Sequence, residues 1–350
     1  MRIAVVAFET THRTARAGLK RTEALARALS RRGHDVTVFC TQWWYGPDAG
    51  PWRVDDDLRY RRIDIAPDLP SSVVRLPVQL ARFRPDVIHA APAPPELLLS
   101  ARVGATLSRA PLVCDWYGDE QFDSRLLGPA RRAPSHTVVP SDYVESGLRE
   151  DGIAGEHLTV LREFLEFEAI EAVEPAGEEH IVAGRRLDSD ANLESLFLGL
   201  AELRREDWSA TVIGDGPARG EFEQAAADLR IGDRVEFVGD VPREERIAHY
   251  RNAHTFVHTA RRESFATELM WALACGCTGV VEYQSDSAAH ELVERRPRGF
   301  RVTTSEEIAG AIQDSRDLDH RTIDDDFREF DRERVLESLL ALYRDLGAGQ

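Results

Sequence analysis

The stretch HTARRESFATELMWALACGC, residues 258–277, decides how this chain is interpreted. An apolar run that ends at His258 predicts a buried strand, and a polar loop follows it. Glu263 and Ser264 then open a predicted helix, rich in Ala and Leu, that ends at Gly276, a residue type that commonly terminates helices. A loop that leads into a helix start presents backbone N–H groups and a partial positive charge, which suit a phosphate. On these residues alone, an ordinary strand–helix–strand unit that binds nothing is the simpler interpretation.

Short apolar runs alternate with amphipathic segments along all 350 residues. This alternation predicts parallel sheets covered by helices, the doubly wound α/β class. The length exceeds one typical core and predicts two domains. We expect a first domain over residues 1–165, an acidic linker over 166–178, a second domain over 179–325 and a final helix within 326–350. The predicted helices are residues 19–32, 77–83, 97–107, 142–150, 192–204, 219–229, 243–250 and 332–346.

The composition excludes several classes of protein. The formal net charge is −17, and Lys20 is the only lysine. Such an acidic, lysine-poor surface argues against a nucleic-acid partner and predicts work in concentrated salt, where screening weakens self-repulsion. No apolar run approaches the length of a membrane-spanning helix. The four cysteines have no metal-ligand or redox spacing, so we expect no metal site and a cytoplasmic protein.

The charge is unevenly distributed along the chain. Residues 1–165 hold 22 Lys and Arg against 21 Asp and Glu, whereas the remainder holds 22 against 40. One run in the first half is basic: Arg13, Arg16, Lys20, Arg21, Arg27, Arg31 and Arg32. A solvated helix face is one interpretation of this run. The other is a face that meets anionic lipid headgroups and gives peripheral contact with the inner face of the cell membrane.

Four segments resemble the group 1 (family 4) retaining glycosyltransferases of the GT-B fold. They are ALARALSRRGHDVTVF (24–39), RPDVIHA (84–90), HTVVPSDYVESGLREDGI (136–153) and ESFATELMWALACGC (263–277). The resemblance covers nearly the whole chain and is to a divergent, haloarchaeal-like member. It implies a GT-B-like fold, in which two doubly wound, Rossmann-like domains face each other across a cleft and the C-terminal domain binds a nucleotide sugar.

The resemblance also implies roles for residues of the second domain. Glu263 matches the first of two signature glutamates, and Arg186, in GRRLDSDANLESL (184–196), matches an arginine that holds the donor diphosphate, so both are candidate catalytic residues. The further donor-binding candidates are Gly184, Arg185, Gly214, Gly216, Ser264, Phe265, Ala266, Glu268 and Glu291. No cofactor or metal is implied, because the nucleotide sugar is itself a substrate.

On the acceptor side, the resemblance points to the first loop and to the loop that follows residues 112–114. The candidates there are His12, Gly18, Asp115 and Tyr117. Three positions depart from the family pattern, since Tyr117 replaces a histidine, Ala191 a lysine and Trp271 the second glutamate. Either the chain binds its donor differently or it has lost transfer activity.

The expected function is transfer of a hexose from a nucleotide sugar to a lipid-linked glycan, with retention of configuration, in surface-glycan assembly or protein N-glycosylation. A non-catalytic GT-B subunit that scaffolds an active transferase is the alternative that the three changed positions support. A sugar-nucleotide epimerase of similar two-domain shape fits residues 263–276 less well. A dehydrogenase fits least, because the loop from Gly214 to Arg219 lacks the third glycine of a dinucleotide fingerprint.

Overall fold

The computed structural model describes residues 1–46, 50–55, 57–120, 124–175, 177 and 179–349. The chain forms two compact units. The first runs from Met1 to Glu163 and resumes at Arg332, and the second runs from Phe164 to Asp331. Each unit has its own largely parallel sheet, which confirms the expected α/β class with two Rossmann-like domains.

The first unit is built on an eight-stranded sheet with the order β3-β4-β2-β1-β5-β6-β7-β8. Its strands are β1 Arg2–Val6, β2 Asp35–Cys40, β3 Trp52–Asp55, β4 Leu58–Arg62, β5 Val87–Ala90, β6 Leu112–Asp115, β7 His136–Val139 and β8 Leu158–Val160. Its helices are α1 Ala17–Arg31, α2 Leu69–Phe83, α3 Pro95–Ser108, α4 Leu127–Arg131, α5 Asp142–Glu150 and α12 Arg332–Asp345. All strand pairs are parallel except β3 with β4, and the central strands are almost entirely buried because helices cover both faces.

The second unit is built on a six-stranded parallel sheet with the order β11-β10-β9-β12-β14-β16. These strands are β9 Glu179–Gly184, β10 Ala210–Ile213, β11 Val235–Gly239, β12 Ala253–His258, β14 Thr278–Glu282 and β16 Gly299–Val302. A separate two-stranded ladder joins β13 Arg262–Glu263 to β15 Asp286–Ser287. The helices are α6 Phe167–Glu171, α7 Leu193–Glu202, α8 Arg219–Asp228, α9 Arg243–Asn252, α10 Thr267–Ala274 and α11 Ser305–Ser315.

The segment expected to be a linker, residues 166–178, belongs to the second unit. It contains α6, whose Phe167 and Ile170 are buried. The guanidinium of Arg251 donates hydrogen bonds to the carbonyl oxygens of Ile170, at 2.8 Å, and Val173. Residues 176 and 178 lie outside the described residues. Two apolar side chains thus anchor the segment that the sequence analysis takes as an acidic linker.

The last helix, α12, completes the first unit. Leu336, Leu339 and Tyr343 are buried on its inner face, and the Tyr343 hydroxyl lies 2.7 Å from Nδ1 of His89 on β5. Its exposed side pairs Glu337 with Arg32 at the end of α1. Among the described residues, no helix combines the length and hydropathy needed to cross a bilayer.

Candidate functional site

The donor-side candidates gather at one edge of the second sheet. All six strands of that sheet are parallel, so their carboxyl ends meet at the same edge, where ligands bind in open α/β sheets. Gly184 ends β9 and His258 ends β12 at this edge. The loops that follow these two strands carry Arg185 and Glu263.

Arg185 forms the centre of this group. Its Nη1 lies 3.6 Å from Oε2 of Glu263, and its Nη2 lies 3.6 Å from Oδ1 of Asp188. Nε donates to the carbonyl oxygen of Arg186 at 3.2 Å. The Arg185 side chain is 15% exposed, and Nη1 is buried without a hydrogen-bond acceptor among the described atoms. A guanidinium held in this way keeps a donor for an anionic ligand such as a phosphate.

The neighbouring Arg186 lies on the surface instead. Its side chain is 71% exposed, and its Nε is 3.7 Å from Asp188 Oδ2. The guanidinium beside Glu263 is that of Arg185, one of the donor-binding candidates. The diphosphate-binding role expected of Arg186 stays a prediction.

His258 is a polar residue at this edge that the sequence interpretation did not select. It is buried at the end of β12, and its Nε2 makes no hydrogen bond within the described structure. Burial, and then the nearby charge of Arg185, lower the pKa of His258 to about 3, so the ring is neutral near pH 7. Buried polar atoms without partners are uncommon in folded proteins. Two of them, on His258 and Arg185, lie at this edge.

Helix α10 begins later than the sequence predicts. Glu263 belongs to β13, where its carbonyl oxygen accepts a hydrogen bond from the Ala288 amide at 2.8 Å, and the helix starts at Thr267. Ser264, Phe265 and Ala266 form the connecting loop, which buried Phe265 and Ala266 anchor. The prediction that Glu263 and Ser264 open the helix is wrong, because the pairing of β13 with β15 extends the backbone there. The start of α10, with its partial positive charge, still lies beside Glu263.

Gly214 and Gly216 bring two loops into backbone contact. A Cβ on Gly214, whose φ is +129°, would lie 1.9 Å from the carbonyl oxygen of Arg185. A Cβ on Gly216 would lie 2.2 Å from that of Leu187. Gly184 is constrained too, since a Cβ there would lie 2.7 Å from the Tyr250 hydroxyl. These glycines allow the close packing that holds the Arg185 loop in place.

Glu268, on α10, already has protein partners. Its carboxylate accepts hydrogen bonds from Arg246 Nη1 and from the Tyr250 hydroxyl, both at 2.6 Å. Trp271, where the family has its second glutamate, is buried, with the Arg243 guanidinium 5.4 Å from its ring centre. Glu268 is thus tied to α9.

Asn192 joins three loops of the same edge. Its φ is +54°, and its Nδ2 donates to the Thr259 carbonyl at 3.0 Å and to Glu282 Oε2 at 2.9 Å. Its Oδ1 accepts from Arg261 at 2.8 Å. Burial raises the pKa of Glu282. Ala191, where the family has a lysine, is fully buried beside this junction.

Glu291, the last donor-side candidate, is half-buried in the 3₁₀ turn Ala289–Leu292. This turn follows β15, the strand that pairs with Glu263.

In the first unit, Asp115 is enclosed at the carboxyl end of β6. Its Oδ1 accepts from Arg21 Nε at 2.8 Å, its Oδ2 accepts from the Thr22 hydroxyl at 3.2 Å, and His89 Nε2 lies 3.6 Å away. Burial alone would raise the pKa of Asp115, but Arg21 overrides it and holds the pKa at about 2. Asp115 was expected to face an acceptor, yet it forms a buried ion pair that holds α1 on the sheet.

Gly18 and Tyr117 lie where a loop closes over the start of α1. The Gly18 amide donates to Asp119 Oδ2 at 3.1 Å, and a Cβ on Gly18 would lie 3.0 Å from Cβ of the buried Tyr117. Glu120 accepts hydrogen bonds from the amides of Tyr117, at 3.1 Å, and Gly118, at 2.8 Å. Burial, then the charge of Asp119, raise the pKa of Glu120 to about 7.

His12 is the acceptor-side candidate that retains an exposed surface. Its ring stacks on Trp43 with centroids 3.6 Å apart, and its Nε2 lies 3.1 Å from Asp55 Oδ2. Tyr60 meets the same ring edge-on at 5.6 Å. His12 therefore belongs to an aromatic cluster beside the first sheet.

Four of the seven residues in the basic run of the first half lie beside carboxylates. Arg21 is buried against Asp115, Arg27 lies 3.6 Å from Asp55, and Arg31 lies 2.6 Å from Asp57. Arg32 lies 3.2 Å from Glu333. Carboxylates thus lie beside these four basic residues, and the lipid-facing role of the run stays a prediction.

Two family descriptions match successive parts of the chain. "Glycosyl transferase 4-like domain" matches residues 18–162, and "Glycosyl transferases group 1" matches residues 166–321. The chain is also similar to alpha-monoglucosyldiacylglycerol synthase of Streptococcus pneumoniae, with 22% identity over 226 residues. That match covers 63% of this chain and 49% of the relative, so the chain spans about half the relative's length.

Solved structures share the fold over the whole chain. A glycosyltransferase from Rickettsia africae superimposes with a TM-score of 0.81 at 14% identity, covering 100% of this chain and 99% of that one. Anabaena HepE in complex with UDP superimposes with a TM-score of 0.77 at 16% identity, covering 99% and 100%. At these identities the likeness shows the fold alone.

Proposed function

Because the chain belongs to the group 1 glycosyltransferases of the GT-B fold, we propose that it transfers a hexose from a nucleotide sugar to a glycan acceptor. The observation that carries this proposal is the arrangement of Arg185, Glu263 and His258 at the carboxyl edge of the second sheet. The likeness to a structure that holds UDP supports a uridine diphosphate sugar as the first donor to test. The similarity to an alpha-monoglucosyldiacylglycerol synthase supports a lipid-linked acceptor.

The proposed reaction breaks the bond between the anomeric carbon and the diphosphate oxygen and forms a bond to an acceptor hydroxyl, with retention of configuration. The hydroxyl proton passes to the departing diphosphate. Negative charge grows on that diphosphate as its bond breaks, and in this scheme the guanidinium of Arg185 and the start of α10 stabilise it. Glu263 would accept hydrogen bonds from the donor sugar. No metal or cofactor enters this scheme.

The changed family positions support a different function, that of a scaffold without transfer activity. A scaffold, however, has no need for a buried hydrogen-bond donor at the donor edge, whereas Arg185 Nη1 is buried without a hydrogen-bond acceptor among the described atoms. This feature favours donor binding.

The test is thermal unfolding with a panel of nucleotide sugars in molar KCl. A donor at 100 times its dissociation constant should stabilise the protein by about 2.7 kcal/mol. Arg185→Gln and Glu263→Gln should abolish this stabilisation, whereas the matched control Arg186→Gln should keep it, because that side chain lies on the surface. If no nucleotide sugar stabilises the wild type, the scaffold is the better proposal. Loss in Arg186→Gln but not in Arg185→Gln would reverse our assignment.

We further propose that the protein works in the cytoplasm at high salt. The net charge of −17 and the single lysine support this, because screening reduces repulsion among crowded carboxylates. The melting temperature should then rise steeply between dilute and molar KCl. A flat dependence would contradict the proposal.

A further inference from the structure

A small cavity lies at the edge of the second sheet that is opposite to the donor candidates. Its volume is about 140 Å³. Its lining includes Cys277, which precedes β14, and Gly299, which begins β16, so the cavity lies at the amino ends of these parallel strands. Pockets that hold drug-sized ligands measure about 300–1,000 Å³. The cavity therefore suits a small ion better than a nucleotide sugar.

Three arginines line this cavity, although it lies in the more acidic part of the chain. They are Arg296, Arg298 and Arg321. Residues 166–350 hold 22 Lys and Arg against 40 Asp and Glu, so three guanidinium groups around one space run against the composition of this part. We call the space and these three residues the arginine cavity.

Arg298 is the most deeply buried of the three, with 9% of the residue exposed. Its Nη1 donates to the carbonyl oxygen of Asp319 and its Nη2 to that of Gly276, both at 3.0 Å. Its Nε is buried and has no hydrogen-bond partner among the described atoms. Burying a charged donor without an acceptor costs free energy, so this N–H suits an acceptor from outside the chain.

The carboxylates of the cavity do not offset the positive charge around Arg298. Burial, and then the charge of Arg321, lower the pKa of Arg298, although Asp324 acts in the opposite direction. Asp324 accepts a hydrogen bond from the Asp326 amide at 3.1 Å, and Asp326 itself is exposed. Arg321 Nη1 lies 3.9 Å from Asp324 Oδ2, which is too far for a hydrogen bond. An anion beside both guanidinium groups would relieve their repulsion.

Arg296, the third arginine, already has partners. Its Nη2 donates to Glu329 Oε1 at 2.6 Å, and its guanidinium lies 4.1 Å from the centre of the Phe327 ring. Arg296 therefore serves as a wall of the cavity, whereas Arg298 and Arg321 keep donors for a ligand.

Close backbone contacts hold the walls of the cavity in place. A Cβ on Gly276, whose φ is +94°, would lie 2.4 Å from the carbonyl oxygen of Arg321. A Cβ on Gly299 would lie 2.3 Å from the carbonyl oxygen of Val293. Because Arg298 also donates to the Gly276 carbonyl, the segments that carry Arg298 and Arg321 are fixed to the same residue. Such pre-organisation lowers the entropy cost of binding a ligand.

We propose that the arginine cavity binds a phosphate group, either as inorganic phosphate or as the end of a small phosphomonoester. Guanidinium groups match phosphate oxygens in charge and in hydrogen-bond geometry. Arg298 directly precedes β16 and Arg321 follows α11, so the two side chains come from different segments, and a phosphate has oxygens enough for both. The cavity and the donor edge lie at opposite edges of the sheet, so this site does not depend on the proposed transferase function.

The experiment is isothermal titration calorimetry of the full chain in molar KCl, with inorganic phosphate and separately with glucose 6-phosphate. Wild type should bind at least one of them, and the tighter of the two identifies the source of the phosphate group. Arg321→Gln should weaken this binding by about tenfold or more, because it removes a charge-assisted contact. The matched control is Arg301→Gln, since both arginine side chains are 52% exposed and Arg301 lies outside the cavity lining. Arg301→Gln should bind as wild type does.

The donor edge is the other place where phosphate could bind, so Arg185→Gln is included. It should keep the binding that Arg321→Gln loses, whether or not the protein is a transferase. Loss of binding in Arg185→Gln with retention in Arg321→Gln would overturn the proposal, as would equal binding by wild type and Arg321→Gln or no binding of either ligand by wild type. Equal melting temperatures without ligand would show that the variants are folded, and Arg321 is exposed enough for its replacement to leave the fold intact.

Discussion

Each unit has an arginine beside a carboxylate at the carboxyl edge of its sheet. The two pairs differ in the distance between the charged groups and in how deeply the side chains are buried. In the first unit, Arg21 Nε meets Asp115 at 2.8 Å, and the two side chains are 2% and 1% exposed. In the second unit, Arg185 Nη1 stands 3.6 Å from Glu263, and the side chains are 15% and 25% exposed. Arg21 donates a hydrogen bond to Asp115, whereas Arg185 Nη1 has no hydrogen-bond acceptor among the described atoms.

We interpret the pair of Arg21 and Asp115 as structural and the pair of Arg185 and Glu263 as part of a ligand-binding site. Arg21 also donates to the Leu161 carbonyl at 2.5 Å, so its guanidinium links α1, β6 and the end of β8. Removing one partner of such a buried pair leaves a charge without compensation. The pair between Arg185 and Glu263 is looser, and we expect it to matter more for a ligand than for folding.

The largest expected effect comes from removing one arginine of each pair. Arg21→Ala should lower the free energy of unfolding by about 3–5 kcal/mol, because Asp115 stays buried without the guanidinium that compensates its charge. Arg185→Ala should lower it by about 1 kcal/mol or less, as for partly exposed pairs. Urea unfolding measures both, with the exposed Lys20→Ala as control. If both variants lose the same free energy of unfolding, the two ion pairs do not differ in their contribution to folding.

A backbone change in the second edge should have an intermediate effect. Gly214→Ala forces a Cβ onto the Arg185 carbonyl at a φ of +129°, so we expect a loss of about 1–3 kcal/mol and weaker donor binding. Gly310→Ala is the control, because that glycine lies within α11 with nothing near its Cβ, and it should gain about 0.5–1 kcal/mol. A Gly214→Ala protein that binds donor normally would show that the position of Arg185 does not depend on this loop.

Glu120, at the carboxyl edge of the first sheet, should make the free energy of unfolding depend on pH. We expect this effect to be smaller, and its direction follows from the pKa shift. The pKa of Glu120 is raised from 4.5 to about 7, so the folded state binds more protons than the unfolded state between these pH values. The free energy of unfolding therefore falls as pH rises through that window, and the penalty persists above pH 7. Glu120→Gln should raise the melting temperature at pH 8 relative to its effect at pH 5. The same comparison with exposed Glu221→Gln should give no difference, and a flat profile for Glu120→Gln would contradict the pKa shift.

The sequence predicted the two sheets well, because alternating apolar strands and amphipathic helices are local patterns. It failed where side chains distant in sequence decide the outcome. Arg21 looked like part of a solvated basic face, but Asp115, 94 positions later, buries it. Helix α2 was expected from Pro77, yet it begins at Leu69, where the Asp68 side chain accepts from the Ser71 amide. Proline usually marks a helix start, and here Pro77 lies inside α2, where it meets Gly104.

The candidate site was predicted in outline only. Glu263 and its loop were selected from the motif, and they do lie at the carboxyl edge beside Arg185. The sequence did not resolve which of the two adjacent arginines lies beside Glu263, because this depends on how the loop after β9 folds. It also missed His258 and Asn192, whose significance depends on neighbours that approach only in the fold.

The smallest expected effect is that of removing metal ions, which tests whether protein groups alone supply the positive charge at the donor edge. If Arg185 and the start of α10 supply the positive charge at the donor edge, transfer should proceed unchanged after treatment with EDTA. In the part of the chain that the structure describes, no three His, Cys, Asp or Glu side chains gather as metal ligands. The measurement is the initial rate of hexose release from the donor, with and without chelator and then with added Mg²⁺. A rate that falls with chelation and returns with Mg²⁺ would show that a bound cation helps to stabilise the charge on the diphosphate. The 3.6 Å separation of Arg185 Nη1 and Glu263 would then need another explanation.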